Sequence, residues 1–216
     1  VLAHMSQDKN LLEAYNTGKD IHQMTASKVF DIPFDEVTSS ERREAKAVNF
    51  GIVYGISDYG LSENIDISRQ DAKEYIEKYF EEYPGIKIFM DKCVEDAKEK
   101  GFVKTLMGRI REIPDIHAKN FNVREFAKRT AMNSPIQGTA ADIIKMSMIK
   151  VKERMEKEQL KSDMLLQVHD ELIFDVPKDE VETMKALVKE EMEHAFKLDV
   201  PLDVNIEIGE SWYDAK

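Results

Sequence analysis

Residues 39–55, S-S-E-R-R-E-A-K-A-V-N-F-G-I-V-Y-G, constrain this chain more than any other stretch. Their spacing predicts one helix with two faces. Thr38 and Glu41 have the T-x-x-E spacing of a capping box, in which hydroxyl and carboxylate each satisfy a free backbone N–H. Gly55 suits the left-handed position just past a helix end. At about 100° per residue, Ala45, Val48 and Ile52 fall on one narrow stripe that requires a core. Arg42, Lys46, Phe50 and Tyr54 recur every fourth residue along a second stripe, two cations followed by two aromatics over roughly 18 Å of helix. Cations suit a triphosphate, and an aromatic ring suits a sugar or base stacked beside it. On residue types alone, solvated surface charge and ordinary core aromatics explain the same pattern.

A chain of 216 residues can bury a real core, as one large domain or two small ones. Hydrophobic content of 42% beside 34% charged residues is that of a soluble globular protein, with no apolar run near the roughly 18 residues of a membrane span. The opening V-L-A-H-M-S-Q-D has no signal-peptide pattern, so a cytoplasmic location without membrane partners is expected. A single cysteine, Cys93, excludes an internal disulfide framework and a cysteine-based zinc site; it reads as a passive helix residue. The net charge of −11 is unevenly spread. Residues 101–130 carry seven Lys or Arg against three acids, whereas residues 175–216 carry twelve acids against five bases. A nucleic-acid surface would therefore lie in the former, and the acidic end faces away from phosphate or simply keeps the chain soluble.

In chain order, residues 8–18 predict a helix with Asp8 as N-cap, Leu11, Leu12 and Tyr15 inward, and Gly18 as its end. Residues 20–30 predict another, with His22 in a first turn whose N–H groups and dipole favour an anion. A lone histidine in such a place is more often structural. A short helical turn follows at 57–64, then helices at 68–83, whose aromatics read as core, and at 85–100. Residues 102–114 switch to two short β-like runs around Met107-Gly108, with Lys104, Arg109 and Arg111 interleaved; a solvated surface hairpin is the plain alternative. Residues 122–157 are a long helical tract that kinks or restarts near Asn133-Ser134, because Pro135 cannot donate to the ladder. Gly138, Ala140 and Ala141 are small enough to let a backbone or a DNA minor groove approach, with Gln137 and Asn133 as hydrogen-bonding groups. In 164–176, M-L-L-Q-V-H-D-E-L-I-F-D-V, two buried strands flank His169-Asp170-Glu171 at a hairpin tip. Asp can serve a turn's own hydrogen bonds, but adjacent acids there suit a hard cation such as Mg²⁺. A helix at 181–196 and a closing strand at 204–209 complete the expectation.

The order and spacing of these motifs resemble the A family of DNA polymerases. R-x-x-x-K-x-x-x-F-G-x-x-Y-G resembles that family's nucleotide-binding helix, D-I-H its phosphate-contacting histidine block, P-x-Q-G-T-A-A-D its minor-groove block and Q-V-H-D-E-L its catalytic hairpin. The stretch T-L-M-G-R-I-R is similar to the backbone-binding T-x-x-G-R-R-x, departing at Ile110 where a second arginine is common. The resemblance covers the chain from Val1 to Lys216 and ends on G-E-S-W-Y-D-A-K. It implies an α+β fold, helical fingers plus part of the antiparallel-sheet palm of a right-hand polymerase. Residues 1–19 would be a palm-edge segment, 20–117 the fingers and 118–216 the palm with its catalytic hairpin.

The resemblance also implies template-directed synthesis in replication and repair: a primer 3′-OH attacks an incoming dNTP with Mg²⁺ as cofactor. His22, Arg42 and Lys46 would clamp the phosphates, Lys46 as a proton donor; Phe50 would pack on the sugar and Tyr54 beside the template base, with Gly51 and Gly55 as a hinge. Thr105, Arg109, Arg129, Asn133, Gln137, Gln167 and His169 would bind primer–template DNA, with Arg111 less firmly placed. Asp170 would ligate metal beside a second acid, Glu171. The family's other metal-binding aspartate belongs to a strand ending D-Y-S-Q-I-E-L-R, immediately before the segment that V-L-A-H resembles. The thumb and that strand are thus expected partners from the rest of a polymerase chain, and this stretch alone is expected to be inactive. Two other classes stay open: a non-catalytic nucleotide- or DNA-binding fragment, and a metal phosphohydrolase built on the H-D-E tip, which leaves the R-x-x-x-K-x-x-x-F helix unexplained.

Overall fold

The computed structural model describes residues 1–215 and divides into two compact units, Val1–Gln137 and a second beginning at Gly138. The first is mostly helical: α1 (Leu2–Ser6), α2 (Lys9–Asn16), α3 (Ile21–Val29), α4 (Ser39–Val53), α5 (Asp58–Ile65), α6 (Arg69–Glu82) and α7 (Pro84–Lys100). The hairpin β1 (Phe102–Lys104)–β2 (Ile110–Glu112) follows, paired antiparallel with Val103 opposite Arg111. The long helix α8 (Phe121–Lys157) runs on past the unit boundary. The second unit adds the antiparallel hairpin β3 (Asp163–Val168)–β4 (Glu171–Asp175) and α9 (Val181–Glu193). Helices with small antiparallel sheets make this the expected α+β class.

Helix α4 begins and ends where its sequence dictates. Thr38 Oγ1 accepts from Glu41 N–H at 3.3 Å, while Glu41 Oε2 accepts from Thr38 N–H at 2.8 Å. The Thr38 N–H and a bond from the Thr38 hydroxyl to the same oxygen at 2.8 Å hold the Glu41 carboxyl below its ordinary range. Ala45, Val48 and Ile52 are buried, and α4 packs against α3, which buries Ala26 and Val29. Past Tyr54, Gly55 has φ +70°, and a Cβ there would lie 2.8 Å from Arg129 Cγ and Met132 Cε. Glycine is needed here twice over, for its backbone and for its lack of a side chain.

Asp8 does more than cap one helix. It is 2% exposed; its Oδ1 accepts from Leu11 N–H at 3.0 Å, and its Oδ2 accepts from Gly85 N–H at 2.8 Å. One carboxylate thus closes the start of α2 and, across the chain, the first turn of α7. A Cβ on Gly85 would sit 2.8 Å from Asp8 Cα, so only glycine lets the two segments approach. On α2 the inward residues are Leu11 and Ala14, whereas Tyr15 is 42% exposed, contrary to expectation. Tyr15 lies one position off the stripe that these two share.

The second unit closes around Val151, Met155, Met184, Leu187 and Val188, with Leu160, Met164 and Phe174 packed against them. Arg154 donates to Glu158, Glu190 and Glu191, joining α8 to α9. Glu180 accepts from Lys161 N–H at 2.8 Å and Ser162 N–H at 2.9 Å, which ties the approach to β3 to the start of α9.

Four further expectations are corrected. Helix α8 does not restart at Asn133-Ser134 but continues through Pro135, where the surrounding helix and the burial of Pro135 outweigh one lost backbone bond. Strand β3 is not buried: Leu165 is 56% and Leu166 53% exposed, because a register irregularity between Met164 and Leu166 breaks the alternation. Residues 204–209 form no strand. Val204 and Ile206 keep the alternation as half-buried positions, but among the described residues no strand pairs with them. Finally, α9 ends at Glu193 rather than 196.

Candidate functional site

The second stripe of α4 is open to solvent. Arg42, Lys46, Phe50 and Tyr54 are all exposed, Phe50 by 48% and Tyr54 by 49%, large values for aromatic rings. Their exposure sets aside the reading of these rings as ordinary core. Lys46 Nζ lies 5.8 Å from the centroid of the Phe50 ring, and the His22 ring lies 5.9 Å from it, tilted by 42°. Helices α3 and α4 therefore bring His22, Lys46 and Phe50 into one cluster, with Arg42 one turn before Lys46.

The N-terminus of α3 is not free to take an outside anion. The Asp20 carboxylate accepts from His22 N–H at 2.9 Å and Gln23 N–H at 3.0 Å. Asp20 also pairs with Arg42, whose Nη2 and Nε each lie 2.7 Å from Oδ2. Partial burial pushes the Asp20 carboxyl up, but the bonds from Gln23, Arg42 and His22 outweigh it and hold the group below its ordinary value. His22 is shifted the other way in charge terms: burial, Arg42 and Lys46 disfavour its imidazolium more than Asp20 favours it, so its pKa falls. The cluster thus presents an imidazole and two cations, one of them already paired with a carboxylate.

At its C-terminal end the stripe borders an open depression of about 500 Å³ lined by Phe50, Gly51, Tyr54, Gly55, Asn64 and Arg129. The Arg129 guanidinium stands 5.9 Å from the exposed Phe126 ring. Gly51 is buried, and a Cβ on it would lie 3.0 Å from Ile56 Cγ2. Close packing alone accounts for that glycine, whether or not the helix end moves.

The other predicted residues fall into separate places. In the β1–β2 hairpin Arg109 N–H donates to Thr105 Oγ1 at 3.1 Å, with Arg109 and Arg111 exposed. On α8 Gln137 is exposed, while Asn133 keeps its carboxamide oxygen buried without a hydrogen-bond partner. In the second unit His169 and Asp170 form the turn between β3 and β4, with His169 at φ +52° and Glu171 starting β4. Gln167 Nε2 donates to the His169 carbonyl at 2.5 Å and braces that turn. His169, Asp170 and Glu171 are exposed, as a hairpin tip requires.

The tip offers oxygen ligands of the kind a hard divalent cation takes, and Asp170 fits that role as a single ligand. Among the described residues, however, no three His, Cys, Asp or Glu side chains gather closely enough to hold a metal ion. Cys93 is equally unsuited, being buried on α7 with its thiol pushed up to about 12 by that burial. No helix among the described residues is long and apolar enough to cross a membrane.

Comparison with known proteins matches this arrangement from end to end. The chain is 58% identical over 216 residues to DNA polymerase I of Bacillus subtilis and 56% identical to DNA polymerase I of Geobacillus stearothermophilus. Both matches cover all of this chain but only about a quarter of those relatives' length (24% and 25%). Among solved structures, the POL domain of Pol1 from M. smegmatis, in complex with DNA primer-template and dNTP, matches with a TM-score of 0.95 at 45% identity. That match covers 99% of this chain and 38% of the other. The profile of DNA polymerase family A matches residues 1–214, and the chain belongs to that family.

Proposed function

We propose that the protein carries out template-directed DNA synthesis, transferring a nucleotide from a dNTP to a primer 3′-OH. The observation that carries this reading is the cluster of half-buried His22 with exposed Arg42 and Lys46 beside the exposed Phe50 ring. Three nitrogen donors in a row suit a triphosphate, and an uncovered aromatic ring one turn further along suits the attached sugar. Lys46 meets the charge that grows on the departing pyrophosphate and can give it a proton. Tyr54, at the mouth of the depression, lies beside the template base. Thr105, Arg109, Arg129, Asn133, Gln137, Gln167 and His169 hold primer–template DNA, whose minor groove presents acceptors at every base pair.

Asp170 is a metal ligand in this reading, with Glu171 a nearby acid. When bound, a pair of Mg²⁺ ions supplies activation of the 3′-OH and neutralisation of the leaving group. Residues 1–19, 20–117 and 118–216 then correspond to a palm-edge segment, fingers and palm, working in the cytoplasm together with the thumb and catalytic strand of a longer chain. The second reading, a non-catalytic nucleotide- or DNA-binding fragment, draws on the absence of a three-ligand cluster among the described residues.

Primer extension separates the two. The 216-residue chain with primer–template, four dNTPs and Mg²⁺ is expected to give no product alone. Product is expected when a polypeptide bearing the thumb and the D-Y-S-Q-I-E-L-R strand is added, and its loss in Asp170→Ala. Extension by the chain alone that Asp170→Ala abolishes refutes this account of the carboxylates. Failure of every reconstituted mixture favours the binding fragment.

A further inference from the structure

Behind His22 lies a buried chain of polar groups that the nucleotide-binding reading does not use. Asn49 is next to Phe50 in sequence but points inward, and it is only 8% exposed. Its Nδ2 is 2.8 Å from His22 Nδ1, and its Oδ1 accepts from Thr25 Oγ1 at 3.0 Å. Thr25 is fully buried on α3; its hydroxyl also lies 2.8 Å from the Ile21 carbonyl and 3.4 Å from Tyr83 Oη. Tyr83 is itself buried, and burial pushes its phenol up to about 12, so it remains protonated.

The chemistry of an amide gives this chain a direction. A carboxamide nitrogen only donates, so a ring nitrogen facing it must carry a lone pair. A neutral imidazole with its lone pair at Nδ1 bears its proton at Nε2, on the other side of the ring from Asn49. We infer that Asn49, held by Thr25, is a positioning residue that fixes His22 as the neutral Nε2–H tautomer and so presents a hydrogen-bond donor to a bound phosphate. The phosphate in this statement rests on the nucleotide-binding reading; the tautomer does not.

The same groups also accommodate a protonated His22. An imidazolium donates from both nitrogens, so Asn49 must then turn its oxygen toward Nδ1. Its nitrogen would face Thr25 Oγ1, whose proton moves to the Ile21 carbonyl already within 2.8 Å. The charged groups acting on His22 are Asp20 in its own turn and Arg42 and Lys46 on α4. Both cations oppose the imidazolium while the face is empty. A polyphosphate that neutralises them favours it, so binding of phosphate and reversal of the Asn49 amide are coupled.

Nitrogen-15 NMR of histidine-labelled protein tests this directly, because the shifts of Nδ1 and Nε2 distinguish the tautomers. The chain has five histidines, and His22→Gln identifies the signal. The expected result at pH 8 is an unprotonated Nδ1 and a protonated Nε2. In Asn49→Asp a carboxylate faces the ring, and the His22 midpoint is expected to rise by at least about one pH unit. In Thr25→Val the amide loses its anchor, and a substantial Nδ1–H population is expected; this variant keeps the test readable if Asn49→Asp does not fold. An Nδ1–H tautomer in the unsubstituted protein, or an unmoved midpoint in Asn49→Asp, overturns the inference. Inorganic tripolyphosphate is then added to the unsubstituted protein, where the midpoint is expected to rise. A His22 signal with the expected tautomer that ignores tripolyphosphate instead refutes the phosphate role of the cluster, so the two failures are told apart.

Discussion

Replacing Asp8 by alanine removes the acceptor for two backbone N–H groups, on Leu11 and on Gly85, the latter 77 residues from Asp8 in the chain. The bonds are 3.0 and 2.8 Å long, and Asp8 is only 2% exposed. A buried donor left without a partner costs about 1–3 kcal/mol. Taking the lower part of that range for each, since a vacated carboxylate leaves room for water, Asp8→Ala should cost about 2–4 kcal/mol. That is a large share of the roughly 5–15 kcal/mol by which domains are stable. Asp8→Asn keeps one carbonyl oxygen for Leu11 but sets an amide N–H against Gly85, and should cost about half as much. Urea unfolding of the two variants beside the unsubstituted chain, compared at equal denaturant slope, measures both. A loss under about 1 kcal/mol for Asp8→Ala would show that Asp8 does not join α2 to α7. The substitution also loosens Tyr83, just before α7, which anchors the chain of hydrogen bonds to His22.

In a polymerase that contains this chain, Lys46→Ala is expected to slow single-turnover nucleotide addition about a hundredfold, since it removes one charge-assisted contact made chiefly in the transition state; near-normal rates would sink the assignment. Phe50→Tyr should narrow discrimination against nucleotides lacking a 3′-OH, because the new phenol supplies a polar partner beside the sugar; equal discrimination ratios would place Phe50 elsewhere. Asp20→Asn keeps the helix cap but frees Arg42, so affinity for inorganic tripolyphosphate should rise a few-fold at neutral pH. Its pH dependence has a definite sign. The folded carboxyl lies below its ordinary value of 3.8, so its contribution to stability is present above that value and lost as pH falls through the lower folded one. The unsubstituted chain should therefore lose more stability than Asp20→Asn as the pH falls below about 4, in acid titrations followed by circular dichroism.

The local features of this fold were legible because each depends on residues a few positions apart. The capping box of α4, its buried Ala45, Val48 and Ile52, the β1–β2 hairpin around Met107-Gly108 and the turn at His169-Asp170 are all of that kind. Where an element depends on what lies beside it, periodicity misled. Residues 204–209 alternate as a strand does, yet a strand also needs a ladder partner. Leu165 and Leu166 are apolar enough for a core, yet a register irregularity turns them outward. Pro135 removes a backbone bond, yet the helix continues because a single missing bond is small beside the packing around it.

The site divides along the same line. The four-residue stripe of α4 was readable, but its electrostatic state was not, because Arg42 finds Asp20 across 22 residues and His22 finds Asn49 across 27. Asn49 did leave a trace. It stands between Val48 and Ile52 on the buried face, four residues after Ala45, where an apolar residue is expected. Burying a carboxamide without partners would cost a few kcal/mol, so a polar residue in that position requires partners at both ends of its amide. One end finds Thr25. The other finds the ring nitrogen of the histidine that stands against Phe50, so the residue that breaks the apolar stripe supports one beside the exposed cations. Polar exceptions on the buried face of a helix with an exposed cationic stripe are therefore the place to look for groups that reach the side chains of its open face.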